Sequence, residues 1–265
     1  MSIRIIATII QTNQLLNTRK NIYFASDFHL GVPDFASSLE REKKIVRWLD
    51  CIKHDAKTIY LVGDLFDFWF EFKTVVPKGF TRLLGKLAEL SDSGIELHIF
   101  YGNHDLWQFG YLQQEIGCTI HSKPIDIKLG NKNFHIAHGD GLGPGQHWFK
   151  FILSIYRNYF FQRLFAFFHP NIGIRIANWF SARSKQHTFN QNAVYFGDDK
   201  EYLMLYAKQY LTHTKVDYFV FGHRHLPMMR PINEDSTYVN LGDWMGYNTY
   251  ALFDGNVLTL KTFNE

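Results

Sequence analysis

Short runs rich in β-branched and aromatic residues punctuate the chain, and each ends at or just before Gly, Asp, Asn or His: IYFAS (22–26), TIYLV (58–62), IELHIF (95–100), NFHIA (133–137) and VDYFVF (216–221). Such apolar runs, bounded by turn formers, predict buried strands. Between the first two lies SSLEREKKIVRWLDCIKH, where Ile45, Leu49 and Ile52 share one helical face and Ser37 with Glu40 forms a capping box. Between the second and third, TRLLGKLAELSDSG carries Leu83, Leu84, Leu87 and Leu90 and stops at Gly94, a residue suited to the left-handed end of a helix. Strand, helix, strand, helix, strand argues for an α/β layered sheet with its functional loops at the carboxyl ends of the strands. TYVNL, TYALF and VLTLKTF follow closely after VDYFVF and are expected to be antiparallel.

The strand ends keep a rhythm. Asp27 to Asp64 is 37 residues, Asp64 to Asn103 is 39 and Asn103 to His138 is 35, but His138 to His223 is 85. An inserted module is expected there, so the organisation predicted is one domain over residues 1–265 with a helical cap at 141–205.

Composition adds little until charge is mapped. A net charge of +3 is too mild to imply nucleic acid, while 25 Phe, 14 Tyr and 6 Trp form an aromatic excess that needs a location. Cys51 and Cys118 are far apart and outside any CxxC pattern, which suits a reducing compartment and two small apolar fillers. The opening MSIRIIATIIQTNQLL lacks a cleavage site, and no apolar stretch is long enough to span a bilayer. A cytoplasmic protein is expected.

Each predicted strand is followed by a polar signature: Ser26-Asp27-Phe28-His29, Gly63-Asp64-Leu65-Phe66-Asp67, Gly102-Asn103-His104-Asp105, His138-Gly139-Asp140 and Gly222-His223-Arg224-His225. Singly, each reads as a hydrophilic turn. Together they change the picture, because strand ends of such a sheet converge on one crevice. Carboxylates, an amide and imidazoles gathered there would be costly to desolvate, and divalent cations both offset that cost and require those donors. In DxH and HxH, residues two apart on an extended segment face the same side.

The ordered set DxH, GDxxD, GNHD, HGD and GHxH resembles the calcineurin-like metallophosphoesterase family over residues 21–140 and 216–243. The resemblance implies an αββα sandwich of mixed sheets and a two-metal site in which water attacks phosphorus in line. It implies that Asp27, His29, Asp64 and His225 hold one ion and that Asp64, Asn103, His138 and His223 hold the other, bridged by Asp64. His104 would stabilise charge or act as a general acid, with Asp105 orienting it from behind. Asp140 and Asp67 read as supporting carboxylates, and Asp67 reads equally as a helix cap.

From Gly141 to Gly197 there is no Asp or Glu, while Lys150, Arg157, Arg163, Arg175, Arg183 and Lys185 lie among dense aromatics. The plainest reading packs most of those aromatics on the main domain. The missing acids suit an anionic substrate, and the aromatics suit one that also carries hydrocarbon. In this the chain is similar to the UDP-2,3-diacylglucosamine hydrolases of lipid A synthesis, on the strength of the inserted helices, ARSK (182–185) and NLGDW (240–244). It departs from them at His104, where those enzymes commonly carry Arg. The likeness implies Mn²⁺, with Fe or Zn as alternatives, substrate contacts from Arg157, Arg183, Ser184 and Lys185, and peripheral contact with the inner face of the cell membrane. It implies no nucleic-acid partner. The rival is a phosphodiesterase or nucleotide phosphatase of the same superfamily acting on soluble substrates.

Overall fold

A computed structural model describes residues 19–176, 194–195 and 197–264. The first apolar run forms β1 (Asn21–Ala25), and its alternation supplies two different cores. Phe24 points to the interior between the sheets, whereas Tyr23 and Ala25 join the helices outside. The same division repeats in β2 (Ala56–Leu61), where Tyr60 faces inward and Ile59 and Leu61 outward. This is why these strands read as continuous apolar runs: both faces are covered.

The elements continue with α1 (Phe35–Ile52), α2 (Thr81–Asp92), β3 (Glu96–Phe100), α3 (Tyr111–Ile116), β4 (Thr119–His121), β5 (Ile125–Leu129) and β6 (Lys132–Ala137). After them come α4 (His147–Arg157), α5 (Tyr159–Ala166), α6 (Tyr202–Tyr210), β7 (Tyr218–Phe221), β8 (Met228–Pro231), β9 (Thr237–Asn240), β10 (Thr249–Phe253) and β11 (Leu258–Thr262). One sheet runs β11-β10-β1-β2-β3-β4 and the other β5-β6-β7-β9-β8. Phe24, Tyr60, Phe134, Val220, Val239 and Phe253 fill the space between them. Helices α1, α2 and α3 cover the first sheet, and Leu203, Met204 and Ala207 of α6 cover the second. The architecture is the expected αββα sandwich.

Three expectations are corrected. Strand β9 pairs parallel with β7, while β10 pairs antiparallel with β1 and β11 in the other sheet, so TYVNL and TYALF are not partners. Helix α1 starts earlier than SSLE suggests: Asp34 caps it, accepting the Ser37 N–H at 2.9 Å, and Glu40 pairs with Lys43 at 2.7 Å. An acceptor three residues upstream already serves the orphan amide, so Ser37 is left inside the first turn. Cys118 is buried as expected, but Cys51 is exposed.

Helices α4 and α5 occupy the expected insertion, and the expected limit at residue 205 falls inside α6. Among the described aromatics of this stretch Phe149, Phe165, Tyr195 and Tyr202 are partly covered; Trp148, Phe151, Tyr156, Tyr159, Phe160, Phe161, Phe167 and Phe168 are exposed. Packing on the main domain therefore does not account for most of them. What attaches the helices is a local aromatic knot, in which Phe165 meets Phe68, Phe70 and Trp107 at ring separations of 6.0, 4.9 and 4.9 Å. Trp107 also donates its Nε1–H to the Tyr156 carbonyl at 2.8 Å. No helix among the described residues is long and apolar enough to cross a membrane.

Candidate metal centre

Every candidate ligand sits where a strand stops. Asp27 and His29 follow β1, Asp64 follows β2, Asn103 follows β3, His138 follows β6, and His223 and His225 follow β7. The two sheets bring these ends together: His29 Nε2, from the first, lies 3.3 Å from His225 Nε2, from the second. Asp27, His29, Asp64, His223 and His225 all hold positive φ angles, of 56°, 44°, 53°, 66° and 54°. Left-handed backbone in non-glycine residues costs about 1–3 kcal/mol each and concentrates at functional sites. Close approach also demands glycine, at Gly102 and Gly222 among other positions. A Cβ on Gly102 would fall 2.0 Å from Asp64 Oδ1, and one on Gly222 would fall 2.6 Å from Asp27 Oδ2.

Asp64 lies at the centre. Its Oδ1 accepts the His104 backbone N–H at 2.9 Å, while Oδ2 is 3.6 Å from His29 Nε2 and 3.3 Å from His138 Nε2. Two donor sets lie about it, Asp27-His29-His225 and Asp64-His138-His223, with the ligand atoms of each set within 4.8 Å of one another. Asn103 Oδ1 joins the second set, 3.3 Å from His138 Nε2. His104, with His29 and Asp64, brings its ligand atoms equally close together at the rim.

Three of the imidazoles are oriented from behind. His29 Nδ1 faces Asp67 Oδ1 at 3.3 Å, His138 Nδ1 faces the Val62 carbonyl at 2.8 Å and His225 Nδ1 faces Asp243 Oδ2 at 3.3 Å. Each therefore turns Nε2 toward the cluster, as metal-ligating histidines do. Nitrogen and oxygen acceptors converging this tightly, on strained backbone and largely out of water, fit divalent cations.

The electrostatics show how crowded the cluster is. Burial opposes ionisation of Asp64, yet the imidazoles around it, His138 foremost, hold its carboxyl well below the ordinary range. Asp27 is likewise lowered against its burial, chiefly by His225. Desolvation, with the charge of His138 after it, drives His223 down to about 3, which keeps its ring neutral. Burial, then the Asp64 charge, pushes Asp105 up to about 7.

Asp105 and Asp67 exchange their expected parts. Asp105 accepts backbone N–H groups from Gly102 at 2.9 Å and Leu65 at 2.7 Å, so it pins the loops after β2 and β3 together. Asp67 faces His104 instead, with its carbonyl oxygen 3.0 Å and its Oδ1 3.5 Å from His104 Nδ1. Asp140 is buried and pairs at 2.6 Å with Arg157, whose side chain is half exposed. Beside that pair opens a cavity of about 480 Å³ lined by Gly141, Lys150, Leu153, Ser154, Arg157 and Asn158. Arg183, Ser184 and Lys185 lie outside the described residues.

Sequence reasoning did not assign Asp243 or the buried pair of Arg224 Nε with Glu201, at 3.0 and 3.1 Å from its two oxygens, which ties the His223–His225 turn to the start of α6. The signal for Asp243 was present: TYVNL ends in Gly-Asp, as TIYLV does.

Residues 20–227 match the model of the calcineurin-like phosphoesterase family. A UDP-2,3-diacylglucosamine hydrolase of Porphyromonas gingivalis is 38% identical over 261 residues, covering 93% of this chain and 99% of that protein. A protein of the same name from Pectobacterium carotovorum is 25% identical over 83% of this chain and 90% of its own length. Among solved structures, Yfce, a phosphoesterase from E. coli, aligns with a TM-score of 0.45 at 16% identity, covering 91% of this chain and 92% of that one. The family match takes in nearly all the strand-end loops that meet around Asp64, and the chain belongs to the calcineurin-like phosphoesterase family.

Proposed function

We propose that this chain is a metal-dependent phosphohydrolase that cleaves the diphosphate of a UDP-linked 2,3-diacylated glucosamine, releasing UMP and a lipid monosaccharide 1-phosphate. The reading is carried by the donor cluster around Asp64 Oδ2 in a chain 38% identical, along nearly its whole length, to a hydrolase of that name. Asp27, His29, Asp64 and His225 would hold one cation and Asp64, Asn103, His138 and His223 the other, with Asp64 shared. Mixed nitrogen and oxygen donors accept Mn²⁺, which we assign, as well as Fe or Zn. A bound pair of such ions supplies an activated water and neutralises charge on the phosphoryl oxygens. His104, held through Nδ1 at Asp67, would stabilise developing charge or deliver a proton to the departing oxygen. Asp105 keeps the two ligand loops in register.

The substrate's lipid character is supported by the exposed aromatics of α4 and α5, and its negative charge by the absence of acids between Gly141 and Gly197. Phe149 of α4 stacks on His223 with ring centres 5.7 Å apart, so the helical segment reaches the cluster directly. Arg157 and Lys150, beside the cavity near Asp140, are suited to the anionic part of the substrate. The same exposed face is suited to peripheral contact with the inner face of the cell membrane.

Purified protein incubated with Mn²⁺ and UDP-2,3-diacylglucosamine should yield UMP, and a chelator should stop it. Rapid cleavage of bis(p-nitrophenyl) phosphate or dinucleotides with none of the lipid substrate would replace this reading with a soluble phosphodiesterase.

A further inference from the structure

We infer that Asp243 is a positioning residue that fixes the metal-ligating tautomer of His225 and thereby sets the affinity of the cation position formed by Asp27, His29, Asp64 and His225. The inference rests on the two-cation reading above. A neutral imidazole ligates only through the nitrogen that carries no proton. His225 Nε2 faces the cluster, 3.6 Å from Asp27 Oδ1 and 3.3 Å from His29 Nε2, so its proton must sit on Nδ1. Opposite Nδ1, at 3.3 Å, is Asp243 Oδ2, and a carboxylate can only accept there.

Asp243 is itself held in place. It is buried, and its other oxygen accepts the N–H groups of Gly246 at 2.9 Å and Tyr247 at 3.2 Å, closing the turn after β9. The buried Arg41 guanidinium donates to the His29 carbonyl at 2.6 Å, and the negative charges of Asp243 and Asp67 favour its charged form against its burial. One arginine thus holds the backbone of one histidine and lends positive charge to the surroundings of the carboxylate behind another. The other side depends on a main-chain acceptor, Val62, and draws nothing from Asp243.

Asp243→Asn separates this role from a structural one. The amide oxygen can still close the turn, while its NH₂ would face Nδ1 and demand the opposite tautomer, with the proton on Nε2. Long-range ¹⁵N–¹H spectra of the metal-free protein should show His225 moving from the Nδ1–H to the Nε2–H form. Calorimetric titration with Mn²⁺ should resolve two ions in the wild type, with one step weakened roughly 10–100-fold in the variant and the other little changed. Asp243→Ala, which also leaves the turn amides unpaired, should lose stability as well; a purely structural Asp243 predicts that Asn behaves as wild type. Wild-type affinities at both steps in Asp243→Asn would overturn the inference, as would an Nε2–H tautomer of His225 in the metal-free wild type, which needs no variant to fold. A wild-type protein that took up no Mn²⁺ would instead overturn the two-cation reading beneath it.

Discussion

The loops that carry the candidate ligands and the helices α4 and α5 both invert the usual division between polar surface and apolar interior. In the loops, Asp27 and Asp64 are 0% and 1% exposed; on α4 and at the end of α5, Trp148 and Phe167 are 72% and 88% exposed. Buried carboxylates are costly unless paired, and a contiguous apolar face in water is costly unless covered. Among the described residues, each region therefore leaves such a cost uncompensated. The difference lies in the framework. The loops are fixed by parallel strands, left-handed backbone and glycines without room for a Cβ. In α4 only Leu153 is buried and in α5 nothing is, so these helices lean on the knot around Trp107 and Phe165. The proposed function accordingly gives chemistry to the rigid region and recognition to the lightly anchored one.

The sharpest way to break that assignment is Asp64→Ala. Asp64 Oδ2 faces histidines of both donor sets, so its loss should cut turnover to background and empty both metal positions, while circular dichroism keeps the α/β signature. Metal analysis and rate measurements check this, and full activity in the presence of chelator would remove cations from the account of the loops. His104→Ala should follow, with kcat lower by about 10²–10⁴-fold, as for loss of a general acid, and metal content unchanged. A fall in metal content equal to the fall in rate would make His104 a ligand, as its distance to His29 and Asp64 permits. Gly102→Ala tests the rigidity itself. A Cβ 2.4 Å from the Asp64 backbone nitrogen must push one loop off the other, so chemical denaturation should show a loss of about 1–3 kcal/mol, with weaker metal binding. An unchanged midpoint would show that the loops yield.

Much of the rigid region was legible in the chain, because a buried strand broken abruptly by Asp, Asn or His is conspicuous and parallel strands direct such breaks to one place. Pairing partners were less legible. TYVNL and TYALF look alike, and only the packing of two sheets sends one to β7 and the other to β1. Asp105 stands beside His104 in sequence, yet the turn sends its carboxylate back to the amides of Gly102 and Leu65, while Asp67, nearly forty residues away, reaches the imidazole. Neighbours along a turn point in different directions, and backbone φ and ψ decide which. In α4 and α5 the spacing revealed an apolar face but not whether anything covers it, because periodicity records orientation and not contact.

That uncovered face permits the mildest test. Phe160 and Phe167 are seven residues apart and so share one side of α5 and its carboxyl end, exposed at 68% and 88%. Replacing both with Ser should leave stability within about 0.5 kcal/mol, since surface changes that break no contact are nearly neutral. Hydrolysis of a small chromogenic phosphodiester should be unchanged for the same reason. Sedimentation with anionic vesicles should nevertheless weaken by about tenfold or more, because burying even one such ring is worth about 1.5–3 kcal/mol. The effect should also raise KM for substrate presented in vesicles while leaving kcat alone, the mark of binding lost equally from ground and transition states. If vesicle binding survives the double change, the exposed rings of α5 do not meet lipid, and the second half of the comparison must be rebuilt on the aromatics of α4.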